Sequence, residues 1–264
     1  MILDRIIEKK RESLAVAKSK TPFADIKSRA ASMPPARRFA AALSRTPNSL
    51  ALIAELKKAS PSKGLIRADF DPAKFAALYQ KHGASCVSVL TEEDFFQGAL
   101  ENLAIARKSC GLPLLRKDFI FDPYQIYEAR ANHADAVLLI VAALEKSLLE
   151  DLMGLAEETG IETLVEVHDG RELDTALSSG AKLVGINNRN LKTLDIDLET
   201  TIRLLPDIPQ DRVVVAESGI GSRADVERLL PARAAAMLVG TSIVKAPDPG
   251  VKIDELLGKT GGSK

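Results

Sequence analysis

Leu50-Ala-Leu-Ile-Ala-Glu-Leu-Lys57 alternates as a strand does: Leu50, Leu52, Ala54 and Leu56 share one face, and Ala51, Ile53, Glu55 and Lys57 share the other. The purely aliphatic face belongs against helices, so the face ending in two charges belongs in an interior. Seven similar runs follow, near Cys86–Thr91, Leu112–Lys117, Ala136–Val141, Glu162–Val167, Leu183–Asn187, Arg212–Ala216 and Ala236–Val239. Between them, Pro72–His82, Glu145–Thr159 and Arg223–Leu229 carry apolar residues at three- and four-residue intervals, the period of a helix. Gly83, Gly111, Gly160 and Gly180 mark junctions where a helix C-terminus calls for a left-handed residue. Eight strands in βα order also suit an open doubly wound sheet, but no G-x-G-x-x-G follows the first run. The length of 264 residues favours closure, so the fold class is α/β, a (β/α)8 TIM barrel.

The stretch 1–48 stands outside this repeat and reads as an N-terminal helical extension of the same single domain, residues 1–264. Ile2–Lys18 has amphipathic spacing, and Pro35–Leu43 reads as a second helix opened by Pro34-Pro35. Such helices plug the bottom of a barrel or cover its top, and the sequence fits either. The terminal Gly261-Gly-Ser-Lys264 is expected to fray.

Thirty-six basic and 36 acidic residues give a formal net charge of +0, so no global field draws the chain to nucleic acid or anionic lipid. Cys86 and Cys110 lack C-x-x-C spacing, which excludes a thiolate metal site and a disulfide scaffold and suits a reducing cytoplasm. The start of the chain lacks the apolar core of a secretory signal, and the longest apolar run, Ala136–Leu144, is too short to span a bilayer. A soluble cytoplasmic protein is expected, with a monomer favoured.

The chemistry belongs at the carboxyl ends of the strands, where a barrel keeps its active site. Glu55 and Lys57 lie there on the inward face of the first run; burying them is costly unless they are paired or used, and a structural ion pair is the plainer alternative. Lys117 ends the third run on the face of Leu115, and Glu166 sits at the same level in Leu164-Val-Glu-Val-His168. Asn187 and Arg189 continue the inward parity of Leu183 and Gly185, forming a clamp for a carboxylate or phosphate. His168 reads as a solvated or capping histidine. The polar loop Lys58-Ala-Ser-Pro-Ser-Lys-Gly64 lies over the mouth, where it is expected to close as a lid.

The strongest local signal is a pair of loops. The seventh run ends in Ala216-Glu-Ser-Gly-Ile-Gly221 and the eighth in Met237-Leu-Val-Gly-Thr-Ser-Ile243. Phosphate-binding barrels seat the anion on backbone amides after these two strands, which nominates Ser218, Gly219, Gly240 and Thr241, with Ser242 beside them. The three histidines are scattered, and the chain has neither a metal-ligand pair, a G-x-S-x-G elbow nor a Walker loop. A phosphorylated small molecule handled by Lys, Glu, Asn and Arg is the expected substrate.

These residues also carry a resemblance. Ile53-Ala-Glu-Leu-Lys-Lys-Ala-Ser-Pro-Ser-Lys-Gly64, Thr91-Glu-Glu-Asp-Phe-Phe-Gln-Gly98, Leu115-Arg-Lys-Asp-Phe119, Gly185-Ile-Asn-Asn-Arg-Asn-Leu191 and Ala216-Glu-Ser-Gly219 are similar to the indole-3-glycerol-phosphate synthase family, and the likeness spans the whole chain. The resemblance implies a carboxy-lyase of tryptophan biosynthesis that needs no cofactor. Its reaction closes 1-(2-carboxyphenylamino)-1-deoxyribulose 5-phosphate to indole-3-glycerol phosphate with loss of carbon dioxide and water. It implies Lys117 as general acid, Glu166 as general base, and Lys57 with Glu55 as the second lysine and carboxylate. It further implies that Asn187 and Arg189 hold the substrate, that Phe96 packs on it and that Ser60 touches it at the rim. A lysine beside a second cation is expected to have a lowered pKa suited to proton transfer. Rival readings are a Schiff-base aldolase using Lys117 or Lys57, a sister barrel such as phosphoribosylanthranilate isomerase, and a sugar-phosphate binding protein without catalysis.

Overall fold

A computed structural model of the chain describes residues 2–43, 49–191 and 193–259. All eight expected runs become strands, and a small hairpin adds two more. In chain order they are β1 (Ala51–Leu56), β2 (Ala59–Ser60), β3 (Gly64–Leu65), β4 (Cys86–Leu90), β5 (Leu114–Lys117), β6 (Ala136–Ile140), β7 (Glu162–Val167), β8 (Leu183–Asn187), β9 (Val213–Glu217) and β10 (Ala236–Val239). The helices are α1 (Ile2–Lys20), α2 (Phe23–Ala31), α3 (Pro72–Lys81), α4 (Glu101–Ser109), α5 (Pro123–Ala131), α6 (Lys146–Glu158), α7 (Gly170–Ser178), α8 (Glu199–Leu204), α9 (Arg223–Leu229), α10 (Thr241–Lys245) and α11 (Pro249–Leu256). Apart from the β2–β3 hairpin, every strand pairs in parallel, and β1 meets β4 on one side and β10 on the other, which closes an eight-stranded barrel.

Alternation sorts the side chains as expected. Leu50, Leu52, Ala54 and Leu56 join the apolar layer between barrel and helices, whereas Ala51 and Ile53 join Leu115, Leu138, Leu164, Val215 and Leu238 inside. Three helices open on Asp-Pro: Asp71, Asp122 and Asp248 accept backbone amides of α3, α5 and α11, and the proline that follows each one occupies a position whose N–H has no helical partner anyway. Gly83, Gly160 and Gly180 take positive φ, as expected of helix ends. Gly111 does not; Cys110 closes α4 in an extended conformation instead.

The extension differs from expectation. Pro35–Leu43 is not an α-helix: residues 34–38 form no regular secondary structure, and only Ala40–Ala42 form a 3-10 turn. Pro34 and Pro35 push the residues before them out of the helical region. Distant carboxylates then take the amides that would begin a helix, Asp135 accepting from Arg37 N at 2.8 Å and Glu162 from Phe39 N and Ala40 N at 3.1 and 2.7 Å. The second helix is α2, which packs along α5. Both expected placements occur at once. Phe39 and Leu43 fill the bottom of the barrel against Ala51, Ile53 and Ala236, while α1 lies at the top, where Lys10 reaches Asp118 at 2.7 Å and Arg11 sits over the Phe121 ring. The expected fraying of Gly261–Lys264 lies outside the described residues.

Asp135 is the joint between extension and barrel. Its buried carboxylate accepts the amides of Leu114 and Arg37 and pairs with Arg107. Removing one partner of a buried ion pair leaves the other uncompensated, at a cost of about 3–5 kcal/mol. Asp135→Ala is therefore expected to shift the urea midpoint by that free energy, with an unchanged m-value; a midpoint equal to wild type would show the joint to be dispensable.

Candidate active site

The inward parity that carries Ile53 into the core carries Glu55 and Lys57 to the top of β1, and the same rule lifts Lys117 on β5 and Glu166 on β7. These four side chains line one cavity of about 370 Å³, together with Phe96, Asn187 and Arg189. Ser218 and Gly219 after β9, and Gly240 and Thr241 after β10, line the same cavity. The two loops are stitched together by Ser242, whose hydroxyl donates to the Ile220 carbonyl at 3.0 Å. Of the residues singled out from the sequence, Ser60 alone is absent from the lining; it is buried in β2, and its hydroxyl has no partner among the described residues. Lys63, from the turn between β2 and β3, lines the cavity instead.

Lys117 is the centre of the charge arrangement. Its Nζ lies 3.1 Å from Glu166 Oε2 and 2.5 Å from Glu217 Oε2. Lys57 Nζ lies 3.2 Å from Glu55 Oε2 and 5.7 Å from the Phe96 ring centroid, a distance suited to cation–π attraction. Asn187 Nδ2 donates to Glu166 Oε1 at 3.2 Å, and Asn187 Oδ1 accepts the Arg189 amide at 3.0 Å. The Arg189 guanidinium donates to the Leu194 carbonyl at 3.1 Å, which fixes it at the rim.

Sequence reasoning missed Glu217. Within Ala216-Glu-Ser-Gly219 it shares the inward parity of Val215, the same signal that points to Glu55. Two glycines make room for these carboxylates. A Cβ on Gly185 would stand 2.2 Å from Glu217 Oε1, and one on Gly240 would stand 2.2 Å from Glu55 Oε2. The polar loop expected over the mouth is in part ordered as the β2–β3 hairpin, and Ala59 N donates to the Phe96 carbonyl at 3.2 Å.

The expected lowering of a lysine pKa does not occur at Lys117. Burial would lower its ammonium, but Glu217, Glu166 and Glu55 outweigh burial and hold it above the usual lysine value. Lys117 is therefore a filled proton donor at neutral pH. Burial alone would raise Glu166, but Lys117, His168 and Asn187 outweigh it and hold Glu166 well below the usual carboxylate range, so it is ionised at neutral pH. For Glu217 burial wins, helped by the nearby Glu166 charge, and its carboxyl is held above that range. Donor and acceptor thus face one cavity, charged oppositely and in hydrogen-bond reach, as general acid–base catalysis needs.

His168 is not solvated. Nor does it cap α7, whose N-cap is Asp169; its Nδ1 lies 2.9 Å from the Glu172 carboxylate, and its Nε2 turns to Glu166 Oε1 at 3.3 Å.

Comparison with known proteins places this geometry. Residues 3–256 match the model of the family described as indole-3-glycerol phosphate synthase. A protein of that name from Polaromonas sp. (strain JS666 / ATCC BAA-500) is 51% identical over 259 residues, covering 97% of this chain and 98% of its own. Another, from Aromatoleum aromaticum, is 48% identical over 97% of this chain and 99% of its own. Two solved structures are similar in fold alone. The 3-hexulose-6-phosphate synthase of Salmonella typhimurium has a TM-score of 0.65 at 15% identity, over 79% of this chain and 97% of its own. A tryptophan synthase α-subunit from Pyrococcus furiosus has a TM-score of 0.61 at 18% identity, over 79% and 98%.

Proposed function

Because this chain belongs to the indole-3-glycerol phosphate synthase family, we propose a division of labour among its charged side chains for that family's ring closure. The chain is a decarboxylating lyase of tryptophan biosynthesis, forming indole-3-glycerol phosphate from 1-(2-carboxyphenylamino)-1-deoxyribulose 5-phosphate. The backbone around Ser218, Gly219, Gly240 and Thr241 seats the phosphate, and Arg189 with Asn187 takes the carboxylate end. Phe96 packs against the aromatic ring, whereas Ser60, buried in β2 outside the cavity lining, is left out of the contacts. Lys117 gives its proton to the ketone oxygen as the ring carbon bearing the carboxylate attacks the ketone carbon. Carbon dioxide leaves from that ring carbon, and its bonding electrons restore the aromatic ring. In the dehydration, the new hydroxyl departs as water after protonation by a lysine, and Glu166 takes the proton released as the indole double bond forms. Lys57 and Glu55 complete this acid–base set.

One observation supports this reading above the others: Lys117 bridges Glu166 and Glu217 in the same cavity as the two loops after β9 and β10. The raised Lys117 ammonium argues against its use as a Schiff-base nucleophile, which must be unprotonated. The test is indole fluorescence on mixing enzyme with the carboxyphenylamino substrate. Product is expected, with no lysine trapped by borohydride; a covalent lysine adduct would replace ring closure by proton transfer with imine chemistry.

We also propose that the enzyme works as a cytoplasmic monomer. Its two cysteines are free and buried, and Val16, Phe23, Leu65 and Val251, its most exposed large apolar side chains, lie on separate elements. No helix among the described residues is long and apolar enough to cross a membrane.

A further inference from the structure

Glu166 has a neighbour that the ring-closure scheme above leaves without a task. His168 follows it by two residues and so shares its inward direction, and its side chain is only 10% exposed. The ring is fixed from behind by Glu172, the third residue of α7. One oxygen of that carboxylate lies 2.9 Å from His168 Nδ1 and also accepts the His168 backbone amide at 2.8 Å. Glu172 is itself anchored, since Asp169 caps its backbone amide at 3.0 Å. With Nδ1 and the amide both committed, Nε2 points at Glu166 Oε1 from 3.3 Å and has no hydrogen-bond partner among the described residues. Asn187 reaches the same oxygen, which leaves Oε2 to Lys117.

We infer that His168 is a positioning residue: clamped by Glu172, it holds Nε2 at ion-pair distance from Glu166 Oε1 and, with Asn187, keeps Oε2 turned toward the reacting centre. The inference rests on the role of Glu166 as base proposed above.

The charges around this pair set its sign. His168 faces Glu166 on its own strand and Glu172 on α7. Burial would lower its imidazole, but the two carboxylates push it up to about 10, so the ring is cationic through the neutral range. Glu166 faces Lys117 from β5, His168, the Asn187 amide from β8 and, as an opposing charge, Glu217 from β9. A neutral residue at 168 removes a positive charge from beside the base. Glu166 then binds its proton more tightly, so the acid limb of the turnover profile must move to higher pH.

The test joins a titration to a pair of rate profiles, all on the full chain. NMR of histidine-labelled enzyme without substrate is expected to show His168 protonated well above the ordinary imidazole midpoint, and to show that midpoint falling in Glu166→Gln. In His168→Asn, the acid limb of kcat is expected to rise by about one pH unit or more, the usual effect of a charge at this range, with KM changed less than kcat. A wild-type His168 that titrates near its ordinary value overturns the inference, as does a His168→Asn limb coincident with wild type. Should His168→Asn fail to fold, the wild-type titration and its Glu166→Gln counterpart still decide. Full turnover in Glu166→Gln would instead remove the base assignment, while the His168 midpoint in that variant would still report on the contact itself.

Discussion

Lys117→Ala is expected to bind substrate but to turn it over about 10²–10⁴-fold more slowly, the usual loss when a general acid is removed. The phosphate loops are built from backbone after β9 and β10, so the variant leaves them intact and KM should stay within a few-fold of wild type. The damage falls on the reacting centre in two ways. The proton for the ketone oxygen is gone, and Glu166 and Glu217, which both pair with Lys117 Nζ, lose the ammonium that they share. Lys117→Arg separates these effects: a guanidinium restores the charge but holds its proton too tightly to donate it. Steady-state rates of indole formation should therefore stay low in both variants. Recovery in Lys117→Arg would reduce Lys117 to a charge-balancing role, and full turnover in Lys117→Ala would remove it from the mechanism.

Glu166→Gln is expected to lose turnover on the same scale, about 10²–10⁴-fold, for the complementary reason. The amide is nearly isosteric and can still bond to Asn187, so the cavity keeps its shape. What it cannot do is accept a proton. Lys117 retains Glu217 as a partner, which keeps the ammonium charged and makes the loss attributable to the base. Glu217 is the control. Its carboxylate reaches Lys117 Nζ as Glu166 does, so it is the other candidate acceptor beside the same ammonium. Turnover kept in Glu166→Gln but lost in Glu217→Gln would assign the base to Glu217.

The barrel was legible because alternation with period two states both that a run is a strand and which way each residue points. That rule carried Glu55, Lys57, Lys117 and Glu166 to one cavity without any contact being known. It applied equally to Glu217 and His168, which were passed over for local reasons. Glu217 sat in a segment read for its backbone, and His168 stood next to a helix start, where a cap is the ordinary explanation. The Lys117 pKa was misjudged because its controlling neighbours lie 49 and 100 residues away in sequence, on other strands. Pro35–Leu43 failed similarly: Asp135 and Glu162 supply the acceptors that keep it from coiling, and nothing near it in the chain announces them. The helix found instead, α2, begins after Pro22 with no side-chain cap hydrogen bond, so the usual start signal was missing.

The double attachment of the extension also sets an order on synthesis. Lys10 waits for Asp118, Arg37 for Asp135, and Ala40 for Glu162, 122 residues further on. At typical elongation rates that last interval is on the order of ten seconds. The extension, made before any stave, thus waits for the third of the eight staves at Lys10 and for the start of the fifth at Ala40, and the stopper of Phe39 and Leu43 seats on a wall that is still being translated.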